Sequence, residues 1–133
     1  MAVYHLQIVT PDRMVFDGQA ERLIVRTVNG DVCILARHID YAAPLGIGVA
    51  HVTDETGTTR AAACSGGLLS VSGGEVRLIA TTFEWADEID LERAAQAQKA
   101  AEQMLKELDR EDAQYTLTEA RLKRALIRQQ AKQ

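Results

Sequence analysis

The residues best suited to chemistry are few, and none is spaced for catalysis. His5, His38 and His51 lie far from Cys33 and Cys64 and show none of the short spacings that ligate zinc, so no metal site is expected. The segment "CSGGLLS", from Cys64, has glycines without the lysine or the spacing of a phosphate loop, and no G-x-S-x-G elbow occurs. Without a nucleophile or an acid-base pair, the chain is not expected to be an enzyme or to require a cofactor. The two cysteines, far apart on expected strands, read as reduced, packed thiols. What chemistry remains is electrostatic. Residues 113–133 hold Arg121, Lys123, Arg124, Arg128 and Lys132 against the single acid Glu119, whereas residues 87–112 hold nine acids against four bases. The two stretches are complementary to each other, and the basic one, once exposed, would be drawn to an acidic partner.

The elements that must carry these charges change character along the chain. The first eighty residues alternate as half-buried strands do: "YHLQIV" puts Tyr4, Leu6 and Ile8 on one side and His5 and Gln7 on the other. Turn signals break them at Thr10-Pro11-Asp12, Asp17-Gly18, Asn29-Gly30, Glu55-Thr56-Gly57 and Gly73-Gly74, while Gly66-Gly67 reads as a turn or bulge needing positive φ. Short strands at this spacing, with no helical pattern between them, favour an antiparallel sandwich or barrel ending near Thr82.

From Asp90 the period becomes helical. Leu91, Ala94, Gln98, Ala101, Leu105 and Leu108 form one stripe, Asp90 is placed to cap it, and Ile89 is placed to staple against Ala94. "DRED" from Asp109 reverses the chain into a second helix, starting between Asp112 and Thr116, with Tyr115, Leu122 and Leu126 on one side. The expected fold class is thus an all-β N-terminal antiparallel sandwich, residues 1–84, followed by a C-terminal α-helical hairpin, residues 85–133. Ala94, Gln98 and Ala101 in the seam bury little area, so the hairpin is expected to form and yet to open for a partner worth a few kcal/mol.

A length of 133 residues suits one domain with an appended element, and 47% hydrophobic with 26% charged residues argues against disorder. A net charge of −4, with no basic face in the first eighty residues, predicts no nucleic-acid partner. The start "MAVYHLQIV" lacks the features of a signal peptide and no apolar run approaches eighteen residues, so the chain is expected in the cytoplasm.

Six blocks in order carry a resemblance: the T-P turn and Phe-x-Gly of "LQIVTPDRMVFDG", the Gly-Asp before "ILARH", "CSGGLLSVSGGEVRLIA", "WADEIDLERA" with its I-D-x-x-R-A, and "ARLKRALIR". Together they resemble the epsilon subunit of bacterial F-type ATP synthases along nearly the whole chain. The resemblance implies a non-catalytic rotor subunit at the cytoplasmic face of the cell membrane, associated with the membrane only through the complex. Its sandwich would bind the gamma subunit and the c ring, and its helices would either fold on the sandwich or extend into the catalytic head, hindering ATP hydrolysis. By position, Asp31 would face the c ring and His38 would lie toward gamma, or would be a loop histidine bonded to backbone. Cys33 and Ala36-Arg37 depart from the family's usual Gly and Pro-Gly or Pro-Asn. Arg121, Lys123, Arg124 and Arg128 would meet an acidic segment of the beta subunit.

Some members bind ATP as a regulator on the folded hairpin. The matching residues are Ile89, Asp90, Arg93 and Ala94 with Arg124 and Arg128, the last two one turn apart and able to hold phosphate oxygens. Asp90 could equally serve only as a cap, and a further basic position of the ATP-binding members falls on Ala100, implying weaker affinity or none. The reading from a different class is a free-standing β-domain binding module with a helical dimerisation tail.

Overall fold

The computed structural model describes residues 2–133. Seven strands, β1 (Tyr4–Thr10), β2 (Arg13–Thr27), β3 (Gly30–Leu35), β4 (Tyr41–Pro44), β5 (Ile47–Asp54), β6 (Thr59–Ser72) and β7 (Glu75–Trp85), are followed by a 3-10 turn (Ala86–Glu88) and two helices, α1 (Leu91–Glu107) and α2 (Ala113–Lys132). This is the β-sandwich with a C-terminal helical hairpin expected from the sequence.

The strands are fewer and longer than the turn signals suggest. Asp17-Gly18 is no turn: β2 runs through it, because pairing with β1 (Gln7 opposite Asp17, Leu6 opposite Gly18) continues the ladder there. Gly66-Gly67 likewise lies inside β6, at φ +69° and +108°, where that strand changes partner from β5 to β4. A Cβ on Gly67 would stand 1.8 Å from the Ile79 carbonyl oxygen, so the two backbones pass closer than any side chain permits. The expected turns at Thr10-Pro11-Asp12, Asn29-Gly30, Glu55-Thr56-Gly57 and Gly73-Gly74 are all present. β7 continues past Thr82 to Trp85.

Pairing is antiparallel throughout except between β1 and β7, which run parallel. The order β1-β7-β6-β5-β2-β3, with β1 also on β2 and β4 on β6, folds the sheet back on itself. β2 serves both layers: residues 13–20 pair with β1, and from Ala20, through a register shift at Ala20/Arg22, it pairs with β5 and then also with β3. Alternation does the rest. Tyr4, Leu6 and Ile8 point inward as expected and meet Leu23, Val25, Ile34, Val52, Leu69 and Leu78 in a core that water does not reach. The Tyr4 hydroxyl donates to the Ile34 carbonyl at 2.8 Å, and burial raises its pKa. Cys64 is buried, whereas Cys33, expected to be packed, is exposed because it points outward from edge strand β3.

Asp90 caps α1 by accepting from the Arg93 N–H at 3.1 Å. The second cap is Asp112, which accepts from Gln114 N, and not Thr116. Ala94 and Ala101 of α1 and Thr118 and Ala125 of α2 are buried. Leu91 and Leu126, both expected inside, are exposed. The inner face of α2 runs through Tyr115 and Leu122, as expected, and through Thr118, Ala125 and Gln129, small or polar residues that carry no hydrophobic signal. Gln129 donates to Gln98 across the seam at 2.7 Å. Ile89 packs with Ala63 of β6 and Ala131 of α2, so it ties the linker to the sandwich and the hairpin's end. Among the described residues no ion pair joins the acidic helix to the basic one; their complementarity is a matter of field, without direct contacts.

Candidate functional site: two grooves on the helical hairpin

α2 has two working faces. One meets α1; the other, through Ile127 and Ala131, lies on β5 and β6. At the boundary between them stand Arg121, Arg124 and Arg128, whose spacings of three and four put them on one side of the helix. Two grooves open there. The first, about 320 Å³, lies between the helices and is lined by Arg121, Arg124, Arg128, Thr118 and the wall Ala97, Ala100, Ala101, Met104. The second, about 430 Å³, lies where α1 begins and is lined by Glu84, Glu88, Asp90, Arg93, Ala94, Ala97 and Arg128. Arg128 and Ala97 belong to both.

The structure therefore brings together Asp90, Arg93, Ala94 and Arg128 in one groove and Arg124 with Arg128 in the next. Ile89 lines neither; it is buried beneath them. Lys123 is exposed and lines neither groove. Arg121, read from the sequence as a contact with the catalytic head, stands beside Arg124 in the first groove.

Two acids that sequence reasoning missed shape the electrostatics. Glu84 accepts from Nε of Arg128 at 2.7 Å, joining β7 to α2 across forty-four positions. Glu88 is held by both terminal nitrogens of Arg13 at 3.1 and 3.3 Å and also accepts from the Trp85 N–H. The Arg13 hydrogen bond keeps the Glu88 carboxyl below its ordinary pKa. Arg60 stacks 3.8 Å above the Trp85 ring and stands 3.8 Å from Asp87. The 3-10 turn is thus pinned to the sandwich by two arginines. No signal in the sequence marks these pairs, because their partners are far apart along the chain.

Asp31 and His38 lie elsewhere, on the β domain. Asp31 is bound by Nε of Arg26 at 2.5 Å, which lowers its pKa, and it remains half exposed. His38 Nδ1 meets the Ile39 carbonyl at 2.8 Å, and its ring packs edge-on against Tyr41 at 5.8 Å. Among the described residues there is no cluster of His, Cys, Asp or Glu able to hold a metal, and no helix long and apolar enough to cross a membrane.

A sandwich closed by a parallel β1–β7 pair and carrying a hairpin with this arginine row defines a class by comparison. The family of the ATP synthase delta/epsilon chain beta-sandwich domain matches residues 3–86. The ATP synthase epsilon chain of an Exiguobacterium species is 35% identical over 96% of this chain and 94% of its own, and that of Ruminococcus albus is 37% identical over 96% and 95%. In a solved structure of the Euglena gracilis mitochondrial ATP synthase, OSCP/F1/c-ring, one chain superposes with a TM-score of 0.81 at 25% identity, covering 92% of this chain and 77% of that one. The central stalk/c-ring structure from Tetrahymena thermophila shares the fold, at a TM-score of 0.61 and 12% identity. The chain belongs to the ATP synthase epsilon chain family, a family of non-catalytic subunits. Membership sets aside the free-standing binding module.

Proposed function

We propose that the chain is a rotor subunit of the central stalk whose sandwich joins the gamma subunit to the c ring and whose hairpin restrains ATP hydrolysis. It works at the cytoplasmic face of the membrane, held there through the complex. Support for rotor assembly comes from the relatives' names and from the F1/c-ring assembly that contains the similar Euglena chain.

One observation carries the regulatory part: the attachment of hairpin to sandwich is slight. Ala63, Ile89 and Ala131, flanked by Val49 and Ile127, make the apolar contact, and Arg128–Glu84 is the only ion pair from α2 among the described residues. Alanine methyls contribute well below the roughly 1.5–3 kcal/mol of a large buried aliphatic side chain. A partner or ligand worth a few kcal/mol can therefore shift the hairpin between docked and released states. Because Arg13 and Arg60 pin the 3-10 turn, the swing begins beyond Glu88, at Ile89-Asp90. Release exposes Arg121, Lys123, Arg124 and Arg128 to an acidic segment of the beta subunit. Asp31 on the sandwich serves the c ring and His38 serves gamma. A regulatory ATP, held by Asp90, Arg93, Ala94, Arg124 and Arg128 above Ile89, favours the docked state.

The test is ATP hydrolysis by the assembled enzyme with Arg121, Lys123, Arg124 and Arg128 changed to alanine. Hydrolysis should rise while the complex still assembles; an unchanged rate would show that this tail does not inhibit. Removing every residue after Ile89 should give the same increase.

A further inference from the structure

The two grooves differ in charge. The inter-helix groove holds three arginines and no acid, while its neighbour sets Glu84, Glu88 and Asp90 against Arg93 and Arg128. Arg121 and Arg124 have no ion-pair or hydrogen-bond partner among the described residues, and Arg128 engages Glu84 through Nε alone, so its two terminal nitrogens have no partner among them either. Three cations at i, i+3 and i+7 on one helix repel one another, and a multivalent anion between them relieves that repulsion. Ala100 leaves the facing wall low and uncharged, so the cationic side of the groove is α2 alone.

We infer that Arg121 is a phosphate-binding residue, and that the inter-helix groove takes a triphosphate chain laid along α2 from Arg128 through Arg124 to Arg121. Seven residues of helix span about 10 Å, which a triphosphate covers with the reach of the guanidinium groups and a monophosphate does not. The acidic groove repels phosphate and leaves its end of the site to an uncharged, donor-bearing group. Arg121 supplies from the second helix the charge that Ala100 does not supply from the first. The inference rests on the proposal that the hairpin holds a regulatory nucleotide, and it adds a residue and a direction to it.

Calorimetric titration of the full chain with ATP, AMP and inorganic tripolyphosphate tests it, in wild type, Arg121→Ala, Arg124→Ala and, as a charge control, Arg22→Ala at an exposed position of β2. Arg121→Ala should weaken ATP and tripolyphosphate by about tenfold or more and leave AMP unchanged, while Arg22→Ala stays within about twofold of wild type. Far-ultraviolet circular dichroism confirms that the helices persist. Binding of tripolyphosphate without ATP would keep the groove and assign it to free polyphosphate. Wild-type affinity in Arg121→Ala, with loss in Arg124→Ala, overturns the role of Arg121 and spares the nucleotide proposal. An absence of heat with both triphosphates up to millimolar overturns both. The hydrolysis assay of the assembled enzyme is independent of all these outcomes.

Discussion

Arg128 of the last helix donates through Nε to Glu84 of the last strand at 2.7 Å, and this is the polar fastening between the two parts of the molecule. Its side chains are 28% and 36% exposed, so water and salt screen the pair. A double-mutant cycle of Arg128→Ala and Glu84→Ala should give a coupling of about 0.5–1 kcal/mol that shrinks as salt is raised. Urea unfolding measures it; coupling near zero at low salt would leave the apolar contact as the sole fastening.

His5 lies between two carboxylates on neighbouring strands, Asp17 of β2 at 2.5 Å and Glu75 of β7 at 2.6 Å, with Gln7 and Arg77 bonded to each other alongside. Both hydrogen bonds, that to Asp17 the stronger influence, raise the imidazole pKa. A raised folded-state value stabilises the fold fully below the unfolded pKa of about 6.5 and less as pH climbs through the folded value. Proton NMR should place the His5 midpoint above the ordinary range and return it there in Asp17→Asn with Glu75→Gln. The loss of thermal stability on His5→Gln should be largest in mild acid and vanish in alkali.

Gly67 tolerates no side chain, since a Cβ would overlap the Ile79 carbonyl. Gly57 has a similar backbone at φ +85° but open space around it. Gly67→Ala should cost roughly 3 kcal/mol or more and Gly57→Ala about 1 kcal/mol in chemical denaturation. Equal costs would show that conformation alone matters at both.

Burial pushes the Cys64 thiol up to about 12, while Cys33 stands exposed on its edge strand. Native protein at about pH 8 should therefore release one equivalent with a thiol reagent and a second only when unfolded. Two rapid equivalents would mean that β6 opens readily.

Much of this was legible in the sequence where a local rule decides the outcome. Strict alternation set the inward face of β1, Asp90 announced its cap, and Asn29-Gly30 and Gly73-Gly74 turned as their backbone freedom allows. The rule failed at Asp17-Gly18, where the ladder with β1 outweighs a local preference. It failed again at Leu126, because the helical seam is filled by Thr118 and Ala125, whose size gives no hydrophobic signal. The arginine spacing on α2 was readable; that Arg121 shares a groove with Arg124, and that Glu84 restrains Arg128, depends on packing between distant segments.

The parallel contact of β1 with β7 has a consequence for how the protein is made. Leu6 finds its neighbour Val76 only after some seventy further residues have been added, so a growing chain on the ribosome has an open seam until its last strand emerges. The helices follow directly behind that strand. They emerge after β5 and β6, on which α2 rests, and just behind the strand that carries Glu84, so Arg128 finds its partner only as the sheet closes.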